Sequence, residues 1–130
     1  MTMQTNEKVY HPETGEELFR DVRRIGYEYH GIKFYADMGL EVQVTEMALR
    51  NYEKEKASEH EAFYENFFKM LTAAAAEYHS LTCVAIWGIC DNPNMPKNDY
   101  SYKMNGPYCG MFNYDSSRKP EYFKVAKVLE

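Results

Sequence analysis

Residues 81–89, LTCVAIWGI, form an unbroken apolar run between Ser80 and the polar segment that begins at Cys90-Asp91-Asn92. The run is far short of the ~20 apolar residues that a membrane-spanning helix requires. It carries β-branched Val84, Ile86 and Ile89 and aromatic Trp87, residue types that pack well on a pleated surface. A strand that is apolar at every position, not at alternate ones, is expected to be buried on both faces. That is the environment of a parallel sheet covered by helices. Parallel neighbours cannot be joined by a tight hairpin and need a long crossover, usually a helix. The run therefore demands helices and at least one more strand close by in sequence.

Both are legible. Glu16 to Met38 reads as a helix, with Leu18, Phe19, Val22, Ile25, Tyr29, Ile32 and Ala36 recurring at spacings of three and four. Gly26 and Gly31 each weaken that helix by about 1 kcal/mol relative to Ala, and Gly39 suits a left-handed C-terminal cap. Residues 41–47 alternate as a second strand, ending in Thr45-Glu46. Ser58-Glu59-His60-Glu61 matches a capping box and predicts the start of a second helix. Phe63, Phe67, Met70, Leu71, Ala74 and Tyr78 give that helix one apolar face. Residues 90–118 contain Pro93, Pro96, Gly106-Pro107 and Gly110 and read as a long loop. Pro120 then suits the first turn of a final helix through Tyr122, Phe123, Val125, Ala126 and Leu129. Residues 1–5 read as a short first strand. The sum is α/β, with strands alternating with helices. In such folds the chemistry gathers at the carboxyl ends of the strands. Gln4 and Asn6, Glu46, and Trp87 and Asp91 sit at three such ends.

Composition narrows the function. A chain of 130 residues makes one domain of ordinary size, residues 1–130, and 12 Tyr and 7 Phe argue for a packed core. The net charge of −5 provides no basic patch for nucleic acid. Many aromatics with a mild negative charge suit either an ordinary core or a neutral, hydroxyl-rich ligand. No segment approaches the ~20 apolar residues of a membrane span, and residues 1–17, which hold no apolar core segment, are not expected to be a signal peptide. The three cysteines, Cys83, Cys90 and Cys109, have no metal-like spacing. Cys83 is expected to be buried and inert, while Cys90 and Cys109 can be paired or free. His11, His30, His60 and His79 show no ligand spacing and read as surface or helix-end residues. Residues 51–61, NYEKEKASEHE, read as a solvated linker and first helical turn. No metal and no cofactor is implied.

Three motifs together carry a resemblance. GLEVQVTEMAL (39–49), VAIWGICDNPNM (84–95) and GMFNYDSSRKPEYF (110–123) resemble, in order and interval, the C-terminal part of glycoside hydrolase family 10 xylanases. There the seventh strand reads roughly GLEVQITELDI, the eighth vtWGltDkySW, and the chain closes with LLFdxxyxpKPAY. The resemblance implies a partial (β/α)8 TIM barrel, about its last three βα units. Its implied activity is retaining hydrolysis of xylan or xylo-oligosaccharide by two carboxyl groups ~5 Å apart.

Glu46 matches the family's nucleophile, and a strand end suits a carboxylate that must be rigidly aimed. Trp87 matches the tryptophan that packs against the sugar at the cleaved bond. Asp91 matches the Asp of WGxxD, read as a supporting hydrogen-bond partner more than a catalyst. Met95 stands where the family has a second Trp, Asn94 at the preceding Ser, and Ala48 where it has an acidic residue. MTMQTN resembles the sixth strand, GxQxH, with Gln4 kept and Asn6 in place of the His that bonds the nucleophile. A rival alignment takes Asn6-Glu7 as the fourth-strand VNE, which would make Glu7 the acid/base. The sixth-strand alignment is preferred because YADMGLEVQVTE leads without a break into the seventh strand. On that alignment the acid/base lies outside this chain. The implied role is the nucleophile-bearing part of a xylanase, inactive alone, whose partner is the missing N-terminal barrel segment or a second copy. The alternatives are a non-catalytic carbohydrate-binding remnant and an unrelated open α/β domain. Full-length family members are usually secreted, and nothing in this sequence assigns a compartment.

Overall fold

The computed structural model describes residues 20–130. The expected first strand, with Gln4, Asn6 and Glu7, lies outside the described residues. The described elements are helix α1 (Arg20–Asp37), strand β1 (Val42–Met47), helix α2 (Ala57–Tyr78), strand β2 (Leu81–Ile86), short helix α3 (Tyr100–Asn105) and helix α4 (Pro120–Leu129), with a 3-10 turn at Lys54–Lys56.

α1 stops at glycine, as its sequence indicates. Gly39 has φ 76°. Its N–H bonds the Ala36 carbonyl, and the Leu40 N–H bonds the Tyr35 carbonyl. This is the paired closure of a Schellman motif. β1 and β2 pair in parallel, and α2 is the crossover between them, as a βαβ unit requires. The two strands form a two-stranded sheet among the described residues. α2 lies between the other helices, packing on both α1 and α4. Its inward residues Tyr64, Phe67, Phe68, Leu71 and Ala74 join Ile32, Met47, Leu49, Met111 and Val125 in one core.

Four expectations are corrected. β2 is not buried on both faces. Leu81, Val84 and Ile86 are half-buried against the helices, but Thr82, Cys83 and Ala85 are exposed. An apolar barrel strand is written for two walls, and the described residues supply only the outer one. Cys83 is therefore exposed. The capping box does not form: the 3-10 turn winds into α2, Lys56 takes the cap position without a side-chain bond, and Ser58 falls inside the first turn. The loop from residue 90 is not structureless either, since it includes α3, capped by the Asp99 carboxylate accepting from the Ser101 N–H at 2.7 Å. The three cysteines are all free.

Candidate functional site

The geometry of Glu46 is set by an irregularity in β1. Val44 pairs with Val84 and Met47 with Ile86. Three steps on β1 thus match two on β2, leaving one extra residue on β1. Such a bulge turns later side chains to the opposite face. Val42 and Val44 are half-buried toward the helices, and after the bulge it is Met47, at 4% exposure, that enters the core. Strict alternation from Val44 would have sent Glu46 toward the helices. The bulge places it on the exposed face, which corresponds to the inside of a barrel.

β2 reaches the same face. A register shift after Val42 and Leu81 is followed by alternation, so Cys83, Ala85 and Trp87 share the open side. Trp87 is 56% exposed, and its N–H bonds the Met47 carbonyl at 2.8 Å. The strand ends carrying Glu46 and Trp87 are thereby stitched together. Three clefts lie elsewhere on the described surface, around α2, α4 and the segment after β2, and are lined by other residues.

Asp91 differs from these two. It is 8% exposed. Its carboxylate accepts from the Gly110 N–H at 2.9 Å and pairs with the Lys119 ammonium at 3.0 Å. Lys119 also donates to the Gly110 carbonyl at 2.8 Å. Asp91 therefore fastens the returning chain at residue 110. Met95 is half-buried in a tight turn, with its N–H bonding the Asn92 carbonyl.

Three buried polar residues beside the strand ends were not singled out from sequence. His60, expected at the surface, is 6% exposed and Glu121 is 1% exposed. The imidazole Nδ1 lies 2.9 Å from Glu121 Oε1, and Nε2 lies 2.9 Å from the Leu49 carbonyl. Lys119 Nζ is 3.6 Å from the same Glu121 oxygen. Burial by itself would raise the Glu121 carboxyl, but the bond from His60 and the Lys119 charge outweigh it and hold the group below its ordinary value. Burial pushes the Tyr64 hydroxyl and the Cys109 thiol up. One signal was present in the sequence: Glu121 stands where the closing motif KPAY has an apolar Ala, so its partner had to be sought elsewhere in the chain. A cleft of about 530 Å³ opens beside this network, lined in part by Asp91, Tyr108, Tyr114, Lys119 and Glu121. No group of three or more His, Cys, Asp or Glu among the described residues is arranged to hold a metal ion.

Comparison with known proteins is consistent with this arrangement. The profile of glycosyl hydrolase family 10 matches residues 22–128. No curated protein sequence matches. Among solved structures, a GH10 endoxylanase from a sugarcane soil metagenome is 20% identical with a TM-score of 0.62, over 82% of this chain and 35% of its own. A Thermobacillus composti GH10 xylanase is 18% identical with a TM-score of 0.63, over 80% and 37%. Xylanase 10B from Thermotoga petrophila RKU-1, in complex with xylobiose, is 17% identical with a TM-score of 0.60, over 81% and 31%. The chain spans about a third of the length of these structures.

Proposed function

The chain belongs to glycosyl hydrolase family 10, and from that premise we propose that it is the C-terminal, nucleophile-bearing part of a retaining endo-β-1,4-xylanase. Its fold is that of a partial barrel. In this reading Glu46 attacks the anomeric carbon and Trp87 covers the apolar face of the sugar. The acid/base, on the fourth strand of the family's barrel, lies outside this chain, and the chain alone does not turn over xylan. The observation that carries the reading is the bulge in β1, which brings Glu46 onto the same open face as Trp87 at adjoining strand ends.

The absent acid/base suggests its own test. General acid help to a sugar leaving group is typically worth ~10² to 10⁴-fold, but a dinitrophenolate departs without being protonated. A dinitrophenyl 2-deoxy-2-fluoro-xylobioside therefore bypasses the missing group and isolates the nucleophile. The expected result is a covalent glycosyl adduct on Glu46, seen by peptide mass spectrometry and lost in Glu46→Gln.

The second reading, a non-catalytic xylo-oligosaccharide-binding remnant, is favoured by Ala48 and Met95 at positions where the family pattern has an acidic residue and a Trp. It expects no adduct, but a shift of the Trp87 indole signal on titration with xylotriose that persists in Glu46→Gln. Absence of both adduct and shift rejects both readings.

A further inference from the structure

We propose that His60 and Glu121 form a one-proton lock that holds together the two chain segments leaving the strand ends, so that the setting of Trp87 depends on the protonation of His60. The argument begins with donors and acceptors. A backbone carbonyl accepts only, and an ionised carboxylate accepts only. His60 faces one of each, the Leu49 carbonyl on Nε2 and the Glu121 carboxylate on Nδ1, both at 2.9 Å. A neutral imidazole has a single N–H and satisfies only one of them. Both contacts hold together when both ring nitrogens carry protons, with Glu121 ionised.

The surrounding charges agree. Lys119 and Asp91 already pair with each other. With Glu121 ionised, a protonated His60 brings this buried set of four to neutrality, whereas a neutral His60 leaves one buried negative charge uncompensated. The other titratable groups packed here are Tyr64, whose ring meets the imidazole edge-on at 5.1 Å, and Cys109, whose carbonyl accepts from the Tyr64 hydroxyl at 3.3 Å. Burial keeps the phenol and thiol of these two protonated. Glu59, Glu61, Lys54 and Lys56 lie at the rims of the adjoining clefts.

The lock reaches Trp87 along two paths. Through Nε2 it grips Leu49, two residues beyond Met47, whose carbonyl receives the Trp87 N–H. Through Glu121 and Lys119 it reaches Asp91 and Gly110, where the Met111 N–H bonds the Ile89 carbonyl and the Cys109 thiol bonds the Gly88 carbonyl. As pH rises and His60 loses a proton, one of its two acceptors loses its donor and one path slackens.

Trp87 is the single tryptophan of the chain and reports on this directly, whether or not it ever meets a sugar. Its emission is recorded from pH 5 to 9. In parallel, the His60 ring nitrogens are followed by proton–nitrogen NMR. The expected result is two protonated nitrogens at the acid end and a one-proton change in Trp87 emission with the same midpoint as the loss of the second His60 proton. In Glu121→Gln the amide donates to Nδ1, a neutral imidazole then satisfies both neighbours, and the emission change disappears. Flat wild-type emission, non-coincident midpoints, or an undiminished transition in Glu121→Gln would each overturn the proposal. The NMR arm needs no variant, so a folding failure in Glu121→Gln leaves the test intact.

Discussion

Gly110 shows how little room the site's supports leave. A Cβ added there would lie 2.5 Å from the Ile89 carbonyl oxygen and 2.6 Å from the Cys90 carbonyl carbon. Both are backbone atoms, which cannot swing aside as a side-chain tip can. The close approach is what lets the Gly110 N–H reach Asp91 and the Gly110 carbonyl reach Lys119. Gly110→Ala is expected to cost about 1 to 3 kcal/mol, the usual penalty for overpacking a tight site. A urea titration would show it as a lower midpoint at unchanged slope, and a midpoint equal to wild type would disprove the constraint. The Glu121 carboxyl adds a pH dependence of its own. A carboxyl held below its ordinary value contributes stability that is complete above about pH 4 to 5 and is lost as pH falls through its folded value. Acid melting should therefore be less steep in Glu121→Gln, read by circular dichroism between pH 5 and 2. Such residues were poorly legible in sequence. His60 and Glu121 stand 61 positions apart, and no local pattern announces a pair closed by tertiary folding. Glu46 and Trp87 could be proposed from sequence because each lies in a short motif at the end of its own strand, although the bulge that turns Glu46 to the exposed face leaves no mark in VQVTEM.

At the scale of elements, the two long helices both end on a left-handed residue, glycine in one and histidine in the other. α1 closes on Gly39 with φ 76°, and α2 closes on His79 with φ 53°. The first ending could be read from sequence because glycine enters the left-handed region freely. The second could not, because nothing about a histidine announces that conformation. A left-handed L-residue costs roughly 1 to 2 kcal/mol, offset in a glycine variant by about 0.5 to 1 kcal/mol of added unfolded-state freedom. His79→Gly is thus expected to stabilise the protein by about 0.5 kcal/mol, and Gly39→Ala to destabilise it by about 1 kcal/mol. Thermal melts of the two variants should move in opposite directions; movement in the same direction would mean that helix closure is not what limits stability at these ends. The start of α2 teaches the converse. Ser58 and Glu61 have the right letters for a capping box, but the 3-10 turn at Lys54–Lys56 begins the winding earlier and moves Ser58 past the cap position. A local motif fixes a boundary only when the preceding chain approaches it extended.

At the scale of the whole molecule, the decisive quantity is unpartnered sheet. Among the described residues each strand has one neighbour, so each presents one edge of free N–H and C=O groups, the template on which another strand can add. The open face beside them carries Ala85 and Trp87, and Ile89 follows at 52% exposure. At the far end of β1, Phe34, Tyr35, Met38 and Leu40 are between 48% and 61% exposed. Scattered apolar residues need no explanation, but exposed apolar side chains on a sheet face beside unpaired strand edges mark a surface suited to being covered. A full barrel of this kind takes ~250 residues, and this chain matches about a third of the solved ones. The isolated 130-residue chain is therefore expected to associate through these edges. Sedimentation velocity should show the mean mass rising with concentration, and the melting temperature should rise with it, because association stabilises the folded form by mass action. A polypeptide carrying the preceding βα units should compete with self-association and reduce the exposure of Trp87, shifting its emission to the blue. Charge placed on the open face, as in Ala85→Glu, should weaken both effects while leaving the helical packing on the other side of the sheet intact. A single monomeric species at every concentration, with an emission that no added βα segment can move, would show that the open sheet is tolerated as it stands.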